Sequence, residues 1–416
     1  MRRAVTLVGG LIVAAVAVGL ALAGCGSSST RGPATLNLWV FNEPSGAFTD
    51  AASRCSQQSG GRYKVVFNAL SNSADAQRQS LVRRLAAKDS SIDIMGLDVV
   101  WTAEFAQAGW IKAWPEPLAG EVQRGTLAGP LTTATYHGRL YAAPANTNTQ
   151  LLWYRKDLVK QAPTTWDALI TAATQLPKAG KIEIQGAQYE GVVVWFNSLV
   201  ASAGGSIIEN GKVTLGAQGE TAAQIMSRLA HSSAADPSLA SDKEDQNRIA
   251  FEMGNAAFEV NYPFIYPSAK MDAPQIFKNL AWAPYPGVSA GLPAKAPIGG
   301  INWGVGSYSK HLQLAFEAAA CLRNAQNQTE AAVKGGLPPT LSSLYNDPAF
   351  VKSYPFAALI RQQVNSGAVR PQTPAYADVS LGIAKAVSPP SDIKLNGFVA
   401  RLRSELSDAL QSKGLI

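Results

Sequence analysis

Two carboxylates stand where short β-rich runs end: Glu43 behind "TLNLWVFN" and Asp98 behind "SIDIMGL". Flat hydrophobes lie beside each, Trp39 and Phe41 for the first and Trp101 for the second. A carboxylate accepts hydrogen bonds from hydroxyls, and an aromatic face covers the C–H face of a pyranose ring. Asn148, Trp195, Glu259, Tyr262, Trp303 and Arg370 widen the set with amides, rings and a guanidinium. Trp195 and Trp303 lie in apolar runs and read first as core. Glu259, inside "AAFEVNY", is an acid in an apolar run and requires a partner. Arg370 sits in "GAVRPQTPAY", where two prolines stiffen the chain and its rigid fork can meet two neighbouring hydroxyls. Acid, amide, ring and fork together suit a neutral sugar.

The elements that must carry these groups alternate along the chain. "TLNLWVFN" and "YKVVFNAL" read as strands with a helix from Gly46 to Ser59 between them. "ADAQRQSLVRRLAAKD" places Leu81, Val82 and Leu85 on one helical face, and "SIDIMGL" follows as a third strand. Strand, helix, strand, helix, strand predicts a parallel sheet with helices on its faces, and such sheets bind ligands at the carboxyl ends of their strands. A second α/β region follows "YAAPANTNTQLLWYRKDLV". In it Thr165 caps a helix whose Trp166, Leu169, Ile170 and Ala173 face inward. "VVVWFNSLV" and "GNAAFEVNYPF" read as buried segments. "PIGGINWGVGSYSKH" reads as a strand and "LQLAFEAAACLRNA" as an amphipathic helix behind it. The Gly/Pro-rich stretches "APYPGVSAGLPAKAPIGG" and "GGLPP" are candidate crossings between two lobes.

Composition removes several classes. A 416-residue chain is long enough for two ordinary domains, and 47% apolar with 16% charged residues describes a globular protein. The charge of +7 is scattered without a basic block, which argues against nucleic acid as a partner. No Cys or His group has metal spacing, and His137, His231 and His311 stand far apart, so no metal or other cofactor is expected.

The amino terminus addresses the chain outward. Arg2 and Arg3 precede an uncharged run from Ala4 to Gly24, the pattern of a secretory signal. Leu22-Ala23-Gly24-Cys25 resembles a bacterial lipobox, in which cleavage leaves Cys25 to carry lipid. "GSSSTRGP" behind it is a flexible tether. Acyl chains would then hold the protein at the outer face of the cell membrane. Outside the cytoplasm the two remaining cysteines, Cys55 and Cys321, are expected to bridge.

Long motifs along the mature chain carry a family resemblance: "LNLWVFNE", "LDVVWTAEFAQAGWI", "YAAPANTNTQLLWYRKDLV", "GVVVWFNSLVASAGG", "AFEVNYPF", "IGGINWGVG", "GGLPPTLSSLYNDP" and "RQQVNSGAVRPQTPAY". With the lipobox, they look like a solute-binding lipoprotein of a carbohydrate ABC importer, of the kind that binds trehalose. The resemblance implies an α/β fold of two periplasmic-binding-protein-like lobes, maltose-binding-protein type, with the ligand in a cleft between them. It implies a leader at 1–24, a tether at 25–35, a first lobe at 36–146 and 298–336, and a second at 147–297 and 337–416. Both bridged cysteines would belong to the first lobe.

Carried onto this chain, the family's sugar-contacting positions are Asp98, Asn148, Glu259 and Arg370, with Glu43 as the acid behind the first strand. Gly336, beside Gly335, would bring backbone close to the sugar, and Tyr262 stands where the family commonly has Trp. A connecting insertion before "APYPG" is missing. The implied activity is capture of a disaccharide, trehalose first, by hinge closure, and delivery by a monomer to a permease served by a cytoplasmic ATPase. Another oligosaccharide or an amino sugar is the alternative ligand. A glycoside hydrolase would need two carboxylates roughly 5 to 9.5 Å apart across one bond, and Asp98 and Glu259 could mimic that pair across a cleft.

Overall fold

The computed structural model describes residues 32–411. The leader expected at 1–24, the lipidation expected at Cys25, most of the expected tether and residues 412–416 lie outside the described residues. The tether expected to run to residue 35 stops earlier, because Ala34 already pairs with Tyr63 in the first sheet.

That sheet begins with β1 (Ala34–Phe41), whose alternate residues Leu36, Leu38 and Val40 are wholly buried, as a half-buried strand requires. Helix α1 (Ala47–Gln58), β2 (Tyr63–Leu70), α2 (Ala74–Ala86) and β3 (Ile94–Asp98) follow. On α2, Leu81 and Leu85 are buried while Val82 is only partly so. β1 lies between β2 and β3 and is parallel to both. The predicted parallel sheet is nevertheless incomplete. β4 (Ala142–Asn148) and β9 (Gly299–Val305) extend it antiparallel, giving the order β2-β1-β3-β9-β4. β9 reaches β3 only after a long excursion, so no local pattern could reveal its place.

The excursion builds a second sheet. From Asn148, the last residue of β4, the chain passes through Thr149 and Gln150 into β5 (Leu151–Arg155). The expected lobe junction after residue 146 is therefore two residues early, and Asn148 belongs to the first sheet, opposite Gly299. Helix α3 (Trp166–Gln175) starts at Thr165, whose side chain accepts a hydrogen bond from the Ala168 amide. Next come β6 (Ile182–Glu183), α4 (Glu190–Ser202), α5 (Glu244–Glu252), β7 (Phe258–Asn261) and β8 (Leu280–Ala283). The order is β8-β5-β7-β6. The run "VVVWFNSLV" is helical, and α4 is buried on every side from Gly191 to Val200, so its apolar residues show no stripe.

Residues 284–298 lead from β8 back to β9 in the first sheet. Helices α6 (Leu312–Leu322) and α7 (Ala325–Gly335) then pack on α1. Cys55 of α1 and Cys321 of α6 form a disulfide across 266 residues of sequence. The last third includes α8 (Ala357–Ser366) and α9 (Tyr376–Val387). α9 packs against α4 in the core of the second sheet, and Trp195 is buried there. Trp303 is buried in the core of the first.

Candidate functional site

Between the two sheets lies a cavity of about 420 Å³, within the range of small-molecule sites. The first sheet contributes Phe41, Asp98, Asn146, Asn148 and Gly299 to Ile301, all at strand ends. Gln77 of α2 and Trp101 join them, the latter stacked on Phe105. Opposite stand Tyr189, Glu190, Val194, the stretch Lys243 to Gln246, and Tyr262. Arg370 completes the wall, from the loop between α8 and α9.

Arg370 is the centre of the charge distribution. Its backbone is aimed by a short parallel pairing in which Ile298 donates to the Ala368 carbonyl and Ala368 to that of Ala296. The side chain is 4% exposed; Nη2 donates to Asp98 Oδ1 at 3.1 Å and Nη1 donates to Glu190 Oε1. Glu190 also accepts from the Tyr376 and Ser380 hydroxyls. Burial pushes the Glu190 carboxyl upward, and the Arg370 charge opposes that push. Burial alone would weaken the guanidinium, but Asp98, Tyr376 and Glu190 more than offset it and hold Arg370 charged. One cation thus ties an acid at the end of β3 to an acid in the first turn of α4.

The expected site residues divide. Asp98, Asn148, Tyr262 and Arg370 line the cavity together. Three others do not, and each has a physical reason. Glu43 caps α1 instead: its carboxylate accepts from the Ser45 amide (2.9 Å), the Ser45 hydroxyl and the Ala47 amide (3.3 Å). An anion at a helix amino terminus is stabilised by the unpaired N–H groups there. Gly336 closes α7 in the left-handed region (φ 66°), where a β-carbon would come within 2.6 Å of Phe264 backbone. Its close approach is to that turn, and the next residue, Leu337, lines the cavity.

Glu259 lies in the middle of β7, 0% exposed, with Oε1 accepting from Asn261 Nδ2 at 2.7 Å. It pairs in register with Glu183 of β6 and has no place in the cavity wall. Burial raises its carboxyl well above the usual range, against the Asn261 hydrogen bond. Asp98 and Glu259 therefore do not flank a common substrate position, and the hydrolase pair fails.

Sequence reasoning missed Glu190, Asn146, Tyr189 and the start of α5. Glu190 had a usable signal, since "YEGVVVWFN" also sets an acid against an apolar run.

Comparison with known proteins places the chain. The family model described as bacterial extracellular solute-binding protein matches residues 48–329. A "Probable ABC transporter-binding protein" of Deinococcus radiodurans is 30% identical over 319 residues, 72% of this chain and 74% of that one. Among solved structures, maltose-bound MalE3 of T. maritima has a TM-score of 0.79 at 24% identity, covering 91% of this chain and 98% of its own. The GacH receptor of Streptomyces glaucescens, solved unliganded and with acarbose, has a TM-score of 0.80 at 22% identity, covering 91% and 99%. These likenesses establish the two-lobe, maltose-binding-protein-like α/β fold. Among the described residues no helix is long and apolar enough to cross a membrane. With an extracytoplasmic location and a binding rather than catalytic role, the chain belongs to the bacterial extracellular solute-binding protein family.

Proposed function

We propose that this protein captures a neutral α-linked disaccharide, trehalose first, for an ABC importer and delivers it to the permease by hinge closure. One observation carries the reading. Two cavity-lining side chains each present a buried polar atom without a protein partner: Asn146 Oδ1 and Arg370 Nε. They comprise an acceptor and a donor. Unpaired polar atoms in a buried site are costly, and a ligand rich in hydroxyls can satisfy both. Phe41, Trp101, Tyr189 and Tyr262 supply flat faces for its rings. Acids outnumber bases among the lining residues, with Asp98, Glu190, Glu244 and Asp245 against Lys243 and Arg370, which disfavours an anionic sugar.

Trehalose is favoured over other disaccharides by the motif resemblance to trehalose-recycling lipoproteins of mycobacteria. The maltose named for one structural neighbour and the acarbose named for another support α-linked sugars generally. The lipobox makes Cys25 the membrane anchor, leaving a tethered receptor at high local concentration beside its permease. Asp98, Asn148, Tyr262 and Arg370 form the binding set, joined by Glu190 and Asn146.

Calorimetric titration with trehalose, maltose, sucrose and glucosamine tests the ligand. Saturable trehalose binding with a 1:1 ratio is expected, and silence toward every sugar overturns the reading. Small-angle scattering should show contraction when sugar is added. Overnight incubation with trehalose should release no glucose.

A further inference from the structure

We propose that Gln185 is a positioning residue for sugar capture: its buried amide ties the link between the lobes at Gln150 to the α5 wall of the cavity, so that hinge and wall move as one. Gln185 follows β6 and stands four residues before Tyr189, on the segment that leads into the cavity. Its Oε1 accepts from Gln150 Nε2 at 2.6 Å. Its Nε2 donates to Asn247 Oδ1 at 3.1 Å and to the Val260 carbonyl of β7 at 3.3 Å. Asn247 Nδ2 in turn donates to Glu183 Oε2 at 3.3 Å. Gln150, Gln185, Asn247 and Glu183 are all wholly buried.

The direction of this relay is fixed. The Val260 carbonyl can only accept, so Gln185 turns its NH2 group toward it and its oxygen toward Gln150. Asn247 must then offer its oxygen to Gln185, which leaves its own NH2 for the Glu183 carboxyl. Each end reaches an element that capture uses. Asn247 lies on α5, and its amide donates to the carbonyl of Lys243, where the cavity-lining stretch Lys243 to Gln246 begins. Gln150 is the second of the two residues between β4 and β5, and its carbonyl accepts from Gln363 Nε2 at 3.0 Å. Gln363 Oε1 accepts from the Tyr285 amide at 2.7 Å, so the return crossing at 284–298 is fastened at the same point.

Gln185 uses its oxygen and both N–H groups, as a buried amide requires. Gln150 differs: its Oε1 is buried without a partner, and its one side-chain hydrogen bond among the described residues is to Gln185. Turning of the lobes about Gln150 must therefore break that bond or carry Gln185, and with it α5, along. A hinge with two positions, biased through such a chain, is the physical requirement for coupling. An apolar side chain of the same size would fill the space without transmitting the turn.

Gln150→Met and Gln185→Met remove the amides at nearly constant volume, and hydrogen exchange on the sugar-free protein reads the result. Gln150 makes no hydrogen bond to α5, so a merely structural role would confine its effect to the crossing. Both variants should instead speed exchange in α5 by about twofold to thirtyfold, with β1 to β3 unchanged. In the double variant the two effects should not add. Unchanged α5 exchange in Gln150→Met overturns the proposal, as do additive effects in the double variant. The inference rests on the disaccharide reading for its second arm: trehalose affinity by calorimetry should fall by a similar factor in each variant that melts as the parent does. Undiminished affinity there overturns it. A parent protein that binds no sugar removes the disaccharide reading alone, and the exchange result still decides whether hinge and wall are coupled.

Discussion

Asp98 and Glu190 in the cavity differ from Glu183 and Glu259 behind it in one respect above all. The first two share Arg370, which joins them across the gap between sheets. The second two lie side by side in register on β6 and β7, wholly buried, and neither has an ion-pair partner among the described residues. An acid in an apolar setting announces only that something must accompany it. In the cavity the companion is a guanidinium with a donor to spare, which is a means of recognition. In the second sheet the companions are amides, Asn247 and Asn261, and burial raises both carboxyls, so the acids are set up to hold protons.

The sharpest way to break this contrast is to remove the guanidinium. Arg370→Ala should leave Asp98 and Glu190 without their shared counter-charge and lower trehalose affinity by about thirtyfold to a thousandfold, or about 2–4 kcal/mol. Arg370→Lys keeps the charge but loses the planar fork, and should also bind poorly. Calorimetry on both, with melting curves to confirm folding, is the measurement. Near wild-type affinity in the alanine variant would take Arg370 out of the site.

The opposite side of the contrast is a matter of protons. The folded state holds the Glu259 proton more tightly than the unfolded chain does, because burial raises its carboxyl. The stabilisation is therefore full below the ordinary glutamate value. It is lost as pH rises toward the raised one, by up to about 1.4 kcal/mol for each pH unit crossed. Glu259→Gln should lower that slope and leave sugar affinity unchanged, the remainder coming from Glu183, whose carboxyl burial raises to about 8. Urea midpoints at pH 5 and pH 8 read it out. An unchanged slope would mean Glu259 is ionised in the fold.

The smallest effect sharpens the comparison with a third kind of acid. Glu43→Ala removes the cap of α1 and should cost about 1 kcal/mol of stability, with no change in sugar binding. A large loss of affinity would return Glu43 to the cavity.

These differences explain what is legible in the residues alone. β1, β2, β3 and α2 follow from local alternation and helical spacing, and the Thr165 cap from a single side chain. The place of β9 is not legible locally, because it depends on a partner strand some 200 residues away along the chain. Glu190 is hidden for the same reason: its cavity role appears only when Arg370, 180 residues later, folds onto it. Glu43 departs from its expected place although the signal lies close at hand. A helix starting at Gly46 leaves amides for an acid just upstream, and that local demand captures the carboxylate. Glu259 departs because strand ends and strand middles look alike in "AAFEVNY", while only the ends open into the cavity.

The bond between Cys55 and Cys321 has a consequence for survival outside the cell. Every peptide bond from Ser56 to Ala320, including all of β5 to β8, lies within the loop closed by the two sulfurs. A single protease cut at any exposed turn in that stretch leaves the two fragments one covalent molecule, with α1 still fastened to α6. Nicked receptor would run as two pieces on a reducing gel and as one without reductant. Damage to a surface loop thus becomes a scar rather than a severance.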